Sequence, residues 1–209
     1  MALVEAEELI SFCGATTDDS TLFESLAEAV TFMIENYCGR GGFRGIKDGD
    51  ADETRLPGFE ECTAEEYYSG DGETWIIVKR RPITAITHIK EEDPAGTWTE
   101  IDSSYYQAVG DDAGAGIIRY IPDYGETFTK GTNIYKIKYT AGYSSGDIPP
   151  DLSMAAMIWV KAIWERKKSN LTVSSLSLGP QSASKTFSVA SLPKDAKALL
   201  DPYKPVGLM

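Results

Sequence analysis

Residues 134 to 168 read IYKIKYTAGYSSGDIPPDLSMAAMIWVKAIWERKK, and they limit the folds open to this chain more than any other stretch. The segment opens as a strand. Ile134, Lys136 and Lys138 fall on one side, and Tyr135, Ile137 and Tyr139 on the other, the period of two that a pleated strand requires. A Gly/Ser/Pro loop follows. Pro149, Pro150 and Asp151 then start a helix over 151–168. Within 152–164 the only charge is Lys161, and Arg166, Lys167 and Lys168 close the helix at the negative end of its dipole. A helix that is apolar on almost every side has to be covered on almost every side. The 41 residues after it are too polar for that: 169–192 hold 8 serines in 24 positions. The cover must come from elsewhere in the chain or from a neighbouring subunit.

The N-terminal third supplies part of it. A short helix is predicted over 4–13, with Ala6, Leu9, Ile10 and Cys13 on one stripe and Gly14 as its stop. A second, over about 19–38, opens on the capping residues of TTDDS. Its expected apolar face is Leu22, Leu26, Ala29, Val30, Met33 and Tyr37, and it ends at Gly39. Residues 40–66 show no period and read as a long acidic loop. From 67 the pattern turns to β. Strands are expected at 74–80, 83–90, 98–109, 116–121 and 133–141, separated by Asp/Gly/Pro turns. The Ser-rich segment is not expected to fold alone, although TFSV (186–189) has the composition to add as a strand to another sheet. LPKDAKALLDPYK (192–204) gives a short helix with Ala196, Leu199 and Leu200 on one narrow face.

The fold class expected is α+β. It is a small α-helical bundle, made of two N-terminal helices and the long apolar helix, with an inserted antiparallel β-sheet or sandwich and an extended C-terminal arm. The expected boundaries are 1–40 for the N-terminal helices, 41–66 for the acidic loop, 67–145 for the β region, 146–168 for the core or interface helix and 169–209 for the arm with its docking helix.

Charge narrows the functions. Net charge is −12, and residues 1–66 hold 16 Asp/Glu against 4 Lys/Arg, so the whole excess sits there. Such a chain is not built to hold nucleic acid by its phosphates, which takes Lys and Arg. The acidic part reads as a solvated face, a surface for a basic partner, or one past which DNA slides without sticking. No stretch reaches the ~20 apolar residues of a membrane span. The N-terminus, MALVEAEEL, lacks the order of a signal peptide, so a protein outside the general secretory route is expected. Cys13, Cys38 and Cys62 have no paired spacing and read as reduced, small hydrophobic residues.

Catalytic and metal signatures are weak. The single histidine, His88, lies in an alternating strand with no nucleophile elbow nearby. DGDAD (48–52) begins like a calcium loop, but Glu53 and Phe59 stand where that motif needs Gly and Glu. GRGGFRG (39–45) follows a helix and lacks the lysine of a phosphate loop. Neither a cofactor nor a metal is expected. The aromatics of the β region, Tyr67, Tyr68, Trp75, Trp98, Tyr105, Tyr106, Tyr120, Tyr124, Tyr135, Tyr139 and Tyr143, fit cross-strand pairs and core, or a carbohydrate- or receptor-binding face.

Several local signatures, in order, resemble the head–tail adaptor (connector) proteins of long-tailed phages and gene transfer agents. They are DDSTLFESLAEAVTFMIENYCGR (18–40), EEYYSGDG followed by a strand and RRPIT (65–84), YKIKYTAGY (135–143) with IPPDLSMAAMIWVKAIWERKK (148–168), and the terminal LPKDAKALLDPYK. The resemblance implies a structural virion protein with no catalysis, made in the host cytoplasm and resident in the neck. Such adaptors form a ring, typically of twelve subunits, under the portal protein. They join the DNA-filled head to neck and tail-completion proteins, and genomic DNA passes through without sequence-specific binding or membrane contact. By position, Trp159, Ile163 and Trp164 are the expected subunit interface, and Leu192, Leu199, Leu200 and Tyr203 the arm's contact with the portal. The rival reading is a virion-associated carbohydrate- or receptor-binding module built on the β-region aromatics; a small enzyme would depend on His88.

Overall fold

A computed structural model describes residues 2–42, 44–47, 54–144, 146–168 and 192–204. The chain forms two compact units: Met1–Gly39 with Ile148–Met209, and Arg40–Asp147.

The first unit is helical. Helix α1 spans Ala6–Cys13 and stops at Gly14, whose left-handed φ of 60° lets its N–H reach back to Ile10 and Ser11. Helix α2 spans Ser20–Tyr37 and buries Phe23, Ala27, Val30, Thr31 and Ile34. This stripe is turned by one residue from the expected one: Leu22, Leu26, Met33 and Tyr37 are half-buried and Ala29 is exposed. Phe23 decides the rotation, because its ring packs on Trp164, with 5.1 Å between ring centres. Leu3 and Val4 are buried ahead of α1, and the Leu3 N–H donates to Thr31 Oγ1 at 3.0 Å.

The second unit is built on antiparallel pairs. Its elements are β1 (Arg44–Lys47), β2 (Thr54–Arg55), β3 (Cys62–Gly70), β4 (Trp75–Ile77), β5 (Ile83–Glu92), β6 (Trp98–Glu100), β7 (Tyr106–Gln107), the short helix α3 (Asp111–Ala115), β8 (Ile117–Tyr120) and β9 (Gly131–Ala141). One sheet has the order β2-β1-β3-β9-β5-β6 and the other β4-β8-β7. Strand β9 lies inside the larger sheet with the alternation its sequence predicts: Tyr135, Ile137, Tyr139 and Ala141 are buried, and Lys136, Lys138 and Thr140 sit on the opposite face. A single apolar cluster draws on both sheets, with Ile76, Val78, Ile118 and Tyr120 meeting Ile89, Phe128, Tyr135 and Ile137.

The reading of 40–66 as a loop is corrected. Strands β1 and β2 and the start of β3 fall there, and Leu56 and Phe59 are buried. Strand β3 sends Ala64, Glu66 and Tyr68 inward. A glutamate on the inner face hid the strand from a hydrophobic pattern. The expected strand over 98–109 is two short ones, β6 and β7.

The helical unit is completed by α4 (Pro150–Lys168) and α5 (Lys194–Leu200). Helix α4 buries one stripe, Leu152, Ala155, Ala156, Trp159 and Val160, while Met154 is 41% exposed. Among the described residues one stripe of it is therefore fully buried, and most of its other positions are half-buried.

Close approach fixes two glycines differently. A Cβ on Gly70, where β3 shifts register, would lie 1.9 Å from the Thr129 carbonyl oxygen, whereas one on Gly114 in α3 meets nothing within 4 Å. Backbone cannot move aside as a side-chain tip can. Gly70→Ala is therefore expected to destabilise the protein by about 2–3 kcal/mol in chemical denaturation, with Gly114→Ala near neutral.

Candidate functional site

Three places carry polar chemistry. The first is a buried network in the β unit. Arg80, between β4 and β5, is 1% exposed. Its Nη1 donates to the Cys62 carbonyl at 2.8 Å, and its Nη2 to those of Ala141 at 2.7 Å and Glu60 at 3.3 Å. Its backbone N–H donates to Tyr139 Oη at 3.3 Å, and the Tyr139 and Tyr68 hydroxyls lie 2.9 Å apart. Tyr68 in turn donates to Glu66 Oε2, and the Lys79 N–H also donates to Tyr68 Oη, at 3.0 Å. Each hydroxyl has one proton, so the donors run in one direction, from Arg80 through Tyr139 and Tyr68 to the carboxyl of Glu66. Burial pushes the Glu66 carboxyl above its ordinary value, against the pull of Tyr68 and Lys79. Burial likewise raises both tyrosines. This is a structural lock. The network holds no nucleophile, and Glu66 is fully enclosed.

The second place is the opposite face of the larger sheet. His88 Nε2 lies 3.0 Å from Glu65 Oε2, and Lys136 Nζ 3.7 Å from Glu65 Oε1, so the single histidine belongs to a cross-strand polar cluster. Lys136 also lies over the rings of Tyr67 and Trp98, at 5.2 and 4.7 Å from their centres. These rings line a surface cavity of about 1020 Å³ together with Arg44, Lys79 and Glu92. The other aromatics divide. Tyr68, Tyr106, Tyr120, Tyr135 and Tyr139 are core, while Tyr105 and Tyr124 form an exposed pair 4.5 Å apart. Among the described residues no group of His, Cys, Asp and Glu is placed to hold a metal. DGDAD (48–52) lies outside the described residues. None of the three cysteines is in a disulfide; Cys38 is buried and the other two are half-buried.

The third place is the seat of α5. Ala196 and Leu200 are fully buried, and the helix packs on α4 within the helical unit. Tyr37 Oη donates to Asp201 Oδ1 at 2.6 Å, Lys197 reaches Asp201 Oδ2 at 2.6 Å, and Lys204 lies 3.9 Å from the Tyr37 ring centre. The hydrogen bond from Lys197, then that from Tyr37, hold the Asp201 carboxyl down to about 2. This differs from the extended arm expected: 192–204 is docked on its own unit, and the segment before it lies outside the described residues. Of the residues singled out for the arm, Leu200 is core, and Leu192, Leu199 and Tyr203 are half-buried. Of those singled out for a subunit interface, Trp159 is buried, and Ile163 and Trp164 are half-buried.

A family model described as head completion protein matches residues 2–206. No curated protein matches the chain. Solved structures share its fold. A chain from the neck of an empty gene transfer agent particle, computed with C6 symmetry, is 17% identical with a TM-score of 0.58, covering 99% of this chain and 92% of that one. A chain from the virion of the native particle is 17% identical with a TM-score of 0.53 over the same shares. One from the native neck, computed with C12 symmetry, is 19% identical with a TM-score of 0.51, covering 90% of this chain and 84% of that one.

The buried carboxyl sets a pH dependence. Folded Glu66 keeps its proton above the ordinary value of 4.5, so between 4.5 and its raised value the folded state binds more protons than the unfolded one. Its contribution to stability therefore falls as pH rises through that window. Glu66→Gln carries no such charge. Compared by urea denaturation, its stability relative to the parent should be constant below about pH 4.5, rise through the window and then level off.

Proposed function

We propose that this chain, which belongs to the head completion protein family, is a structural neck protein of a tailed virion or gene transfer particle. It forms a ring under the portal and joins the DNA-filled head to the neck and tail proteins, while DNA passes through the ring. The observation that carries this reading is that the family match runs from residue 2 to 206 and takes in both units of the chain. The shared fold of the three neck and virion chains supports it.

A ring accounts for α4. Among the described residues one stripe is fully buried, and a neighbouring subunit has a surface to cover at Met154 and alongside the half-buried Ile163 and Trp164. Twelve copies agree with the C12 symmetry used for one related neck. We assign the portal contact to the C-terminal segment, through Leu192, Leu199 and Tyr203. A contact by Leu200 requires α5 to leave its seat, because that side chain is fully buried there. The polar clamp of Tyr37, Asp201, Lys197 and Lys204 is exposed, and such a clamp contributes little against release. The carbohydrate-binding reading loses ground, since five of its aromatics are core and Tyr67 and Trp98 flank Lys136.

Co-sedimentation with the portal protein of the same particle tests the role, comparing the full chain with a 1–191 truncation. Binding by the full chain alone, saturating near one copy per portal subunit, is the expected result. Equal binding by both forms would remove the C-terminal segment from the contact. Binding by neither, with both folded, would contradict the neck role.

A further inference from the structure

Strand β4, Trp75-Ile76-Ile77, is an edge of the smaller sheet, whose order is β4-β8-β7. The Val78 N–H donates to the Gly116 carbonyl and the Tyr120 N–H to that of Thr74, both at 2.8 Å, and Ile76 stands opposite Ile118 between them. Bonded residues alternate along an antiparallel strand. Thr74, Ile76 and Val78 therefore turn their backbone groups to β8, and the N–H and C=O groups of Trp75 and Ile77 point out of the sheet edge. Among the described residues these outward groups have no hydrogen-bond partner.

Edges of this kind are normally blunted by a charge, a proline or a bulge. Strand β6, an edge of the larger sheet, carries Glu100. Strand β4 carries no charge and no proline, and its register on β8 is unbroken. Its side chains add to the effect. Ile76 is buried in the core, whereas Ile77 is 43% exposed on the outer face beside Ile117. Val109, two residues past β7, is 59% exposed. The edge thus offers an extended segment both backbone partners and an apolar surface for alternate side chains.

The chain carries a segment of that chemistry. Residues 169–191 connect α4 to α5 and lie outside the described residues. Within them, TFSV (186–189) sets an aromatic and a β-branched residue, Phe187 and Val189, two apart, with Thr186 and Ser188 between and before them. Its length of tether is also set. Leu192 belongs to the helical unit, and Val189 is three residues from it, so within about 10 Å. The edge that takes this segment has to come close to the start of α5, as the β unit of an adjoining subunit in a ring can.

We infer that the outward edge of β4 takes residues 186–189 of a second copy of this chain as an added strand, with Phe187 and Val189 beside Trp75 and Ile77 on the outer face. Donor and acceptor surfaces differ, so the contact is head to tail and repetition closes a ring when the rotation closes. The inference rests on the ring reading above and adds the contact that ties one subunit to the next.

Hydrogen–deuterium exchange tests it, read at single amides of the full chain, free at low concentration and assembled on the portal. The amides of Ile76 and Val78, which face β8, are the protected control. Those of Trp75 and Ile77 are expected to exchange freely in the free chain and to slow about tenfold or more in the assembly. Phe187→Asp with Val189→Asp is expected to return them to the free rate. Ile77→Lys, at an exposed position, is expected to do the same at Trp75 from the acceptor side, with the control amides still protected to show that the sheet is intact. If Trp75 and Ile77 exchange as fast in the assembly as in the free chain, the inference is overturned and the ring reading stands. Slowing that persists in the Phe187 and Val189 variant also overturns it, because the occupant is then another neck protein. Slowing already present in the free chain overturns it too, because no second copy is then needed. If the parent does not assemble on the portal, the ring reading fails and the inference with it.

Discussion

Arg80 holds a guanidinium in the interior of the β unit, and the architecture around it follows from satisfying that charge. Its three carbonyl acceptors are Glu60, Cys62 and Ala141, and Cys62 and Ala141 are a directly opposed pair of strands β3 and β9. The guanidinium therefore clamps the end of that pairing where the β5 partner Ile83 also arrives. An isolated buried charge would cost several kcal/mol, so the carbonyls have to stay where they are. The backbone of the same residue heads the chain of hydroxyls that ends at Glu66. Two inward-facing polar residues of β3 and β9, Tyr68 and Tyr139, are thereby tied to one register. A shift of either strand by one residue would send Tyr68 or Tyr139 to the opposite face and break the chain.

This network also explains what the sequence makes legible. Strand β9 is plain because its inner face carries Tyr135, Ile137 and Tyr139 against lysines on the other side. Its neighbour β3 is obscure because the inner face carries Glu66 and the outer face Tyr67, the reverse of the usual pattern. Arg80 is just as hidden: only the fold brings three carbonyls to one point. In the helical unit, the existence of α1, α2 and α4 follows from period, and the stop of α1 from Gly14; the starts do not follow from caps, because neither α1 nor α2 has a side-chain N-cap hydrogen bond and a 3-10 turn over Thr17–Asp19 leads into α2. The rotation of α2 does not, because several apolar residues compete for the inside and the Phe23–Trp164 contact settles it. The seat of α5 was out of reach of pattern as well, since a short helix with one narrow apolar face serves equally for an outside partner or for α4. Of the candidate surfaces, the sequence singled out Trp159, Ile163, Trp164 and the terminal leucines.

The charge asymmetry ties the two units to the proposed role. A protein that lines or borders a DNA path must avoid holding phosphate, and a helical segment with eight acids and no cation suits that demand. A structural neck subunit needs firm packing within each unit. The measurement that tests this most directly is a cryo-electron microscopy reconstruction of the neck from particles that carry this gene. The account predicts this fold as a ring of subunits around the DNA path between portal and tail, with its C-terminal segment against the portal. Finding the protein on the capsid exterior or at the tail tip, with the neck ring built from another chain, would contradict it.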